Sequence, residues 1–191
     1  MAQNKMRIGF DFDGVIMYNP ARAIRRPLAF VKKLIIPHKK SEFFFPSKKI
    51  SQLVNILFHK SSFKVATGYD TITQMVHADK IDPYIITARW SFLKKDFLRL
   101  IHNLNAQHIF QGYFLNEKNE QPHLFKERMI KELNLDVFIE DNLDIVDYLR
   151  EHTKAEILWI SNFFDRNEHR DGKFPSLKKA VEYIQSKTDL S

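Results

Sequence analysis

Two aspartates separated by one residue follow an apolar run near the start of the chain. Asp11 and Asp13 come after residues 8–10, and Gly14 stands directly behind them. Side chains two residues apart in an extended strand point to the same face, so we expect both carboxylates side by side at the strand's carboxyl end. Gly14 permits the sharp exit that a bulkier residue would obstruct. Taken alone, the pattern is equally typical of an exposed acidic loop.

Two buried carboxylates at one strand end would have a definite chemistry. They repel each other and are costly to desolvate, and a hard cation such as Mg²⁺, which takes oxygen ligands, would offset that cost. One carboxylate could then act as a nucleophile and the other as a general acid/base.

Two further apolar runs end in polar side chains. Residues 83–89 end with the hydroxyl of Thr87 and the guanidinium of Arg89, and residues 137–142 end with the acids Glu140 and Asp141. Lys126 begins an amphipathic stretch between them. Ligands of open α/β sheets bind at the carboxyl ends of the strands. Together these groups suit a phosphate bridged to a metal ion.

These residues resemble the four motifs of the haloacid dehalogenase-like (HAD) superfamily, most of whose members are phosphatases. Residues 11–14 match its Asp-x-Asp-Gly motif, and Thr87 matches the second motif. Lys126 matches the third, with Lys131 as a competitor, and residues 140–141 match the acidic pair of the fourth. All four occur in the family's order, and the resemblance covers most of the chain.

The resemblance implies a mechanism through a covalent intermediate. Asp11 would attack phosphorus and form an aspartyl-phosphate, while Asp13 would protonate the leaving oxygen and then activate water. Mg²⁺ would be held by the carboxylates of Asp11 and Asp141 and the backbone carbonyl of Asp13. Glu140 would support these ligands or reach the ion through water.

The same resemblance implies a phosphate site. Thr87 and the Ala88 amide would donate hydrogen bonds to the phosphoryl oxygens, and Lys126 would neutralise charge on the phosphoryl group and the nucleophile. Arg89 has two open roles. Its guanidinium fork suits phosphate oxygens, but it could equally pair with an acid.

The order of apolar segments predicts an α/β fold. Strands alternate with helices, which indicates a Rossmann-like parallel sheet with helices on both faces. We expect strands over 7–10, 84–87, 108–115, 137–139 and 157–161, and helices over 91–104, 122–133, 143–151 and 176–186.

Residues 15–80 do not alternate in this way. Their pattern is helical with proline interruptions, and they fall between the first and second motifs, where the HAD superfamily commonly inserts a cap. We therefore expect a core domain of residues 1–14 and 81–191 and a small helical cap of residues 15–80, which would exclude water and contact the substrate.

The positive charge lies in this expected cap. Residues 15–80 contain 12 Lys and Arg against three acids, whereas the whole chain has a formal charge of +7. A basic cap could be a solvated surface, or could steer a small anionic phosphomonoester towards the site. It could also bind nucleic acid or a membrane surface. A non-enzymatic protein that holds nucleic acid or an acidic partner on the same fold is the alternative function.

Two segments resemble a narrower group, the bacterial relatives of the 5'(3')-deoxyribonucleotidases. Residues 86–89 share its Ile-Thr-Ala-Arg form of the second motif. Residues 163–166 occupy the place of that group's Pro-Tyr-Asn-Arg loop, although only the arginine is kept. A nucleotidase activity is therefore a further prediction.

The composition limits the kinds of cross-link, metal site and membrane segment that the chain can contain. The chain has no cysteine, which excludes disulfides and thiolate metal sites, and its eight histidines show no zinc-ligand spacing. No apolar segment resembling a signal precedes Asp11, and no run reaches the roughly 20 apolar residues of a membrane span. We therefore expect a cytoplasmic protein; the sequence does not indicate its oligomeric state.

Overall fold

Eight strands and five α-helices make up the computed structural model, which describes residues 5–18, 64–162, 165 and 168–189. The strands are Met6–Phe10 (β1), Met17–Tyr18 (β2), Lys64–Val65 (β3), Ile81–Trp90 (β4), Gly112–Asn116 (β5), Val137–Glu140 (β6), Glu156–Ile160 (β7) and Lys173–Phe174 (β8). The α-helices are Tyr69–His77 (α1), Lys94–Asn103 (α2), Pro122–Glu132 (α3), Leu143–His152 (α4) and Leu177–Thr188 (α5).

Six of the strands form one parallel sheet in the order β5-β4-β1-β6-β7-β8. The chain begins in the middle at β1, builds outwards through β4 and β5, and returns to the other side of β1 with β6. The carboxyl end of β1 therefore lies where the strand order reverses, which is the place where open α/β sheets bind ligands. This confirms the predicted fold class.

Helices cover both faces of the sheet, and each face has its own apolar core. Helices α1, α2 and α5 pack on one face, with Ile72, Phe97 and Val181 buried there against Ile8 and Phe10 of β1. Helices α3 and α4 pack on the other face with the rings of Phe138 and Trp159 and with their neighbours. Strands buried on both faces are nearly continuous apolar runs, which is why β1, β4 and β6 were recognisable.

At Gly9, the second core, on the face covered by α3 and α4, packs tightly against β1. A Cβ atom there would lie 2.5 Å from Cδ1 of Leu135 and 2.6 Å from Cδ2 of Phe138. The missing side chain lets these two residues pack directly on the backbone next to the site.

A two-stranded antiparallel ribbon flanks residues 19–63, which form most of the predicted cap. Met17 of β2 pairs with Val65 of β3, and Tyr18 pairs with Lys64. The intervening residues 19–63 lie outside the described residues, so the helical cap stays a prediction. Helix α1, which the predicted division assigned to the cap, contributes Ile72 and Met75 to the core of the sheet.

Two predicted strands differ from the structure in extent. Strand β4 runs over ten residues rather than four, because its first half pairs with the whole of β1. The strand predicted over 108–115 is wrong for its first four residues, which include the end of a 3₁₀ turn, Ala106–His108. Asn105 adopts a left-handed conformation with φ of 51°, and Phe110 turns into the core. The apolar pattern there reflects burial of a loop.

Candidate active site

The loop after β1 carries Asp11 and Asp13 in a tight turn. The amide of Asp11 donates to the carbonyl of Ile139 at 2.9 Å, which extends the pairing of β1 with β6 by one residue. Gly14 has a φ of 86°, and its amide donates to the carbonyl of Met17 at 2.7 Å. Glycine adopts this left-handed conformation without steric cost, as the sequence predicts. Asp11 and Asp13 are both buried.

Three carboxyl groups meet where β1 and β6 end. Ligand oxygens of Asp11, Glu140 and Asp141 all lie within 4.8 Å of one another. The amide of Asn142 donates to Glu140 Oε1 at 3.0 Å, and the indole of Trp159 donates to the Asp141 carbonyl at 3.3 Å. Carboxylate oxygens are the donors that Mg²⁺ prefers, so this donor set fits the predicted metal.

Lys126 reaches this cluster from helix α3. Its side chain is buried, and its ammonium group lies 3.2 Å from Asp11 Oδ1 and forms an ion pair with Glu140. The competing Lys131 is exposed on the same helix, where it pairs with Glu127 at 2.6 Å. The structure thus brings Lys126, and not Lys131, to the acids.

Thr87 and Ala88 lie near the end of β4, where the pairing with β5 changes register between Thr87 and Trp90. Thr87 is buried, and its Oγ1 accepts a hydrogen bond from the amide of Arg89 at 3.3 Å. Ala88 packs beside the second core. Their phosphate contacts stay a prediction.

Arg89 is engaged with acids. Its Nε donates to Asp13 Oδ2 at 2.7 Å, and its Nη2 donates to Asp13 Oδ1 at 2.8 Å. The third nitrogen, Nη1, lies 3.2 Å from Oδ2 of Asp96. Of the two roles left open by the sequence, the structure shows the ion pair.

Burial and charge act in opposite directions on Arg89. Burial alone would lower the pKa of its guanidinium, but the charge of Asp13 and the hydrogen bonds to it, with smaller contributions from Asp96 and Asp11, raise that pKa above its ordinary value. Arg89 is therefore a permanent cation beside Asp13.

The site carries more negative than positive charge. Four carboxyl groups, those of Asp11, Asp13, Glu140 and Asp141, share the two cations Lys126 and Arg89. Asp96 is also bonded to Arg99, at 2.5 Å. The formal excess of two negative charges is what one divalent cation would balance.

Sequence reasoning missed Asp96 as a part of this arrangement. It lies in the first turn of α2, and no motif distinguishes it from other acids in first turns. The only available signal is its position seven residues after Arg89, which places it on the helix that follows β4.

Solved structures share this architecture, although no family model and no curated protein matches the sequence. A β-phosphoglucomutase from Clostridium difficile is 16% identical, with a TM-score of 0.56 over 97% of this chain and 98% of that one. The HAD-hydrolase YfnB of Bacillus subtilis, bound to magnesium, is 12% identical, with a TM-score of 0.61 over 96% of this chain and 100% of that chain. The chain thus has the fold of a HAD hydrolase.

CbbY of Rhodobacter sphaeroides in complex with phosphate shares the fold of this chain as well. It is 13% identical, with a TM-score of 0.54, and the match covers 93% of this chain and 99% of that one. At these identities the similarity extends to the fold alone. Of the nucleotidase-like loop, only Asp165 lies within the described residues; its Oδ2 accepts from the amide of Asn162 at 2.9 Å.

Among the helices of the described ranges, none has the length and apolar character to span a bilayer.

Proposed function

We propose that the protein is a magnesium-dependent phosphomonoester hydrolase that acts through an aspartyl-phosphate on Asp11. The observation that carries this proposal is the cluster at the ends of β1 and β6. There the Asp11 carboxyl group lies 3.2 Å from the ammonium of Lys126 and within 4.8 Å of oxygens of Glu140 and Asp141. A buried carboxylate held between a cation and a hard-metal site is suited to attack phosphorus.

The residues divide the reaction between them. An oxygen of Asp11 forms a bond to phosphorus as the bond to the leaving oxygen breaks, and Asp13 gives that oxygen a proton. Water then attacks phosphorus, its proton passes to Asp13, and the bond from Asp11 to phosphorus breaks. Lys126 stabilises the charge on the phosphoryl oxygens, and Thr87 and the Ala88 amide hold them.

The metal would bind to Asp11, Asp141 and the backbone carbonyl of Asp13, with Glu140 behind them. When bound, Mg²⁺ offsets the negative charge of the phosphoryl group and of the attacking carboxylate, so that the two can approach. The hydrogen bond of Trp159 to the Asp141 carbonyl and that of the Asn142 amide to Glu140 fix the two acids at the end of β6.

The substrate class is a small anionic phosphomonoester. A protein of the same fold was solved with phosphate and another is a phosphoglucomutase, which is consistent with a small phosphorylated ligand. Nucleotidase activity stays a prediction from the second-motif sequence. A panel of ribonucleotides, deoxyribonucleotides and sugar phosphates would test it.

Hydrolysis of an aryl phosphate by purified protein tests the proposal. We expect activity that requires Mg²⁺ and is abolished by EDTA. Asp11→Asn keeps the shape of the nucleophile but removes its charge, so the rate should fall by several orders of magnitude. The matched control is Asp70→Asn, an exposed acid at the start of α1, which should keep the wild-type rate. An Asp11→Asn protein with near wild-type activity would contradict the aspartyl-phosphate.

A wild-type protein that hydrolyses no member of the panel would favour the alternative, a binding protein with a basic segment for nucleic acid or an acidic partner. The pair Asp11 and Asp13 argues against that alternative, because a chain that had lost catalysis would no longer need both. The basic residues themselves fall mainly in 19–63, outside the described residues.

A further inference from the structure

We infer that Arg89 is a positioning residue that acts through Asp13 and not a ligand of the substrate phosphate, an inference that rests on the proposed function. Three nitrogens of its guanidinium donate to carboxylates of Asp13 and Asp96 at 2.7, 2.8 and 3.2 Å. Its side chain is 0% exposed. The group is thus directed at the acid/base and enclosed by protein.

The contact fixes the orientation of Asp13. The planar fork of an arginine binds both oxygens of a carboxylate in parallel, which prevents the carboxyl group from rotating. Arg89 is held in turn by Asp96 behind it and by the ring of Phe12, whose centroid lies 5.0 Å from the guanidinium carbon. Phe12 is fully buried in the core. The orientation of Asp13 is therefore fixed by Arg89, and that of Arg89 by Asp96 and by the buried ring of Phe12.

This arrangement leaves Asp13 able to transfer a proton. A carboxylate has about four lone-pair sites, and the fork occupies one on each oxygen. The fork itself does not fill the other sites of the carboxyl group, through which a proton can be taken from water or given to the leaving oxygen. Arg89 can thus aim the acid/base without occupying the positions at which it reacts.

The same strand end links the acid/base to the proposed phosphate site. The amide of Arg89 donates to Oγ1 of Thr87, two residues earlier. Arg89, which orients Asp13, therefore lies in the same turn as Thr87, whose hydroxyl is proposed to hold the phosphoryl group. A substitution of Arg89 should therefore lower the rate of the chemical step. Any accompanying disturbance of Thr87 would instead weaken the binding of phosphate.

Arg89→Lys with two aryl phosphates tests the inference. Lysine keeps the charge but cannot make the bidentate contact. Phenyl phosphate has a more basic leaving group than p-nitrophenyl phosphate and needs the general acid more. We expect kcat/KM, which covers the step in which the leaving group departs, to fall about 10-fold or more for phenyl phosphate and distinctly less for p-nitrophenyl phosphate, while inhibition by inorganic phosphate changes little. Equal losses of kcat/KM on both substrates, or weaker inhibition by inorganic phosphate, would overturn the inference.

A double-mutant cycle adds an independent readout. If Arg89 acts only through Asp13, then Arg89→Lys should cause no further loss of kcat in a protein that already carries Asp13→Asn. A direct contact of Arg89 with phosphate predicts that the two losses multiply. Multiplying losses would therefore overturn the inference.

Asp96→Asn covers the case in which the Arg89 variant does not fold. It removes the negative charge of the partner at Nη1 and leaves the fork on Asp13, so a smaller loss is expected, again greater for phenyl phosphate. Arg128→Lys is the matched control, a partly exposed arginine that also bonds two carboxylates, and should change neither rate. An Asp96→Asn protein without the difference between substrates would overturn the inference. A wild-type protein inactive on both substrates would overturn the proposed function as well.

Discussion

At the scale of single residues, the site depends on one buried cation between two acids. Lys126 contacts both Asp11 and Glu140, with a side chain that is 2% exposed. Removing one partner of a buried ion pair leaves an uncompensated charge, which costs far more than the pair contributes. Lys126 should therefore matter for stability as well as for catalysis.

We predict that Lys126→Met lowers the free energy of unfolding by about 3–5 kcal/mol in the presence of EDTA. Its kcat with Mg²⁺ should fall by about 10²-fold or more, because a fixed donor to the phosphoryl oxygens is lost. Urea unfolding and aryl phosphate turnover measure the two effects. Lys131→Met is the control on the same helix; its side chain is 58% exposed, so stability should stay within about 0.5 kcal/mol of wild type. Similar effects in both variants would contradict the placement of Lys126.

The sequence predicts which residue types form the site, but not the direction in which every side chain points. Three of the four motifs are short patterns at the ends of apolar runs, which predicts that they meet at one edge of a sheet, whereas Lys126 lies in an amphipathic stretch. The choice between Lys126 and Lys131 depends on the rotation of a helix, and the direction of Arg89 depends on the turn after β4. Neither follows from local pattern, because each is fixed by packing against elements distant in the chain.

At the scale of elements, β1 positions the site because it packs without a gap on both faces. At Gly9, the side chains of Leu135 and Phe138 lie so close to the strand that no Cβ atom would fit. Overpacking a core typically costs about 1–3 kcal/mol, and here the displaced atoms adjoin the strand that ends at Asp11.

We predict that Gly9→Ala destabilises the protein by about 1–3 kcal/mol, measured by urea unfolding. The added methyl would lie 2.5 Å from Leu135 and 2.6 Å from Phe138, so one of them must move. Gly112→Ala on the edge strand β5 is the control. Its Cβ would meet the ring of Phe114 at 2.9 Å, and that ring is only partly buried and can swing away. An equal or larger loss in Gly112→Ala would contradict this account.

Apolar patterns predicted which elements exist better than where they end. Strands β6 and β7 and helices α3 to α5 agree with the predicted ranges to within about two residues, and Ser176 caps α5 as expected by accepting from the amide of Lys179. Strand β4 is longer than its apolar stretch because pairing with β1 holds Ile81 and Asp82 in register with Met6 and Arg7. Register between strands is a tertiary property, so composition alone does not set it.

At the scale of the whole molecule, charge is divided between two regions of the chain. Residues 15–80 carry 12 Lys and Arg against three acids, whereas the ends of β1 and β6 carry excess carboxyl groups. The steering role of the basic region stays a prediction, because residues 19–63 lie outside the described residues. The acidic excess is a described feature, and from it we expect the stability of the folded protein to depend on a divalent cation.

We predict that Mg²⁺ stabilises the folded protein by offsetting this excess. A ligand at about 100 times its Kd adds about 2.7 kcal/mol, which for a chain of this size raises Tm by about 5–10 °C. Asp141→Asn removes a ligand and one of the clustered charges, so most of the Mg²⁺ shift should disappear while the Tm in EDTA stays level or rises. Asp144→Asn, an exposed acid three residues further on, should keep the full shift. Thermal unfolding with EDTA and with excess Mg²⁺ measures both. A full shift in Asp141→Asn would contradict the metal site, since the repulsion that the cation relieves would then lie elsewhere.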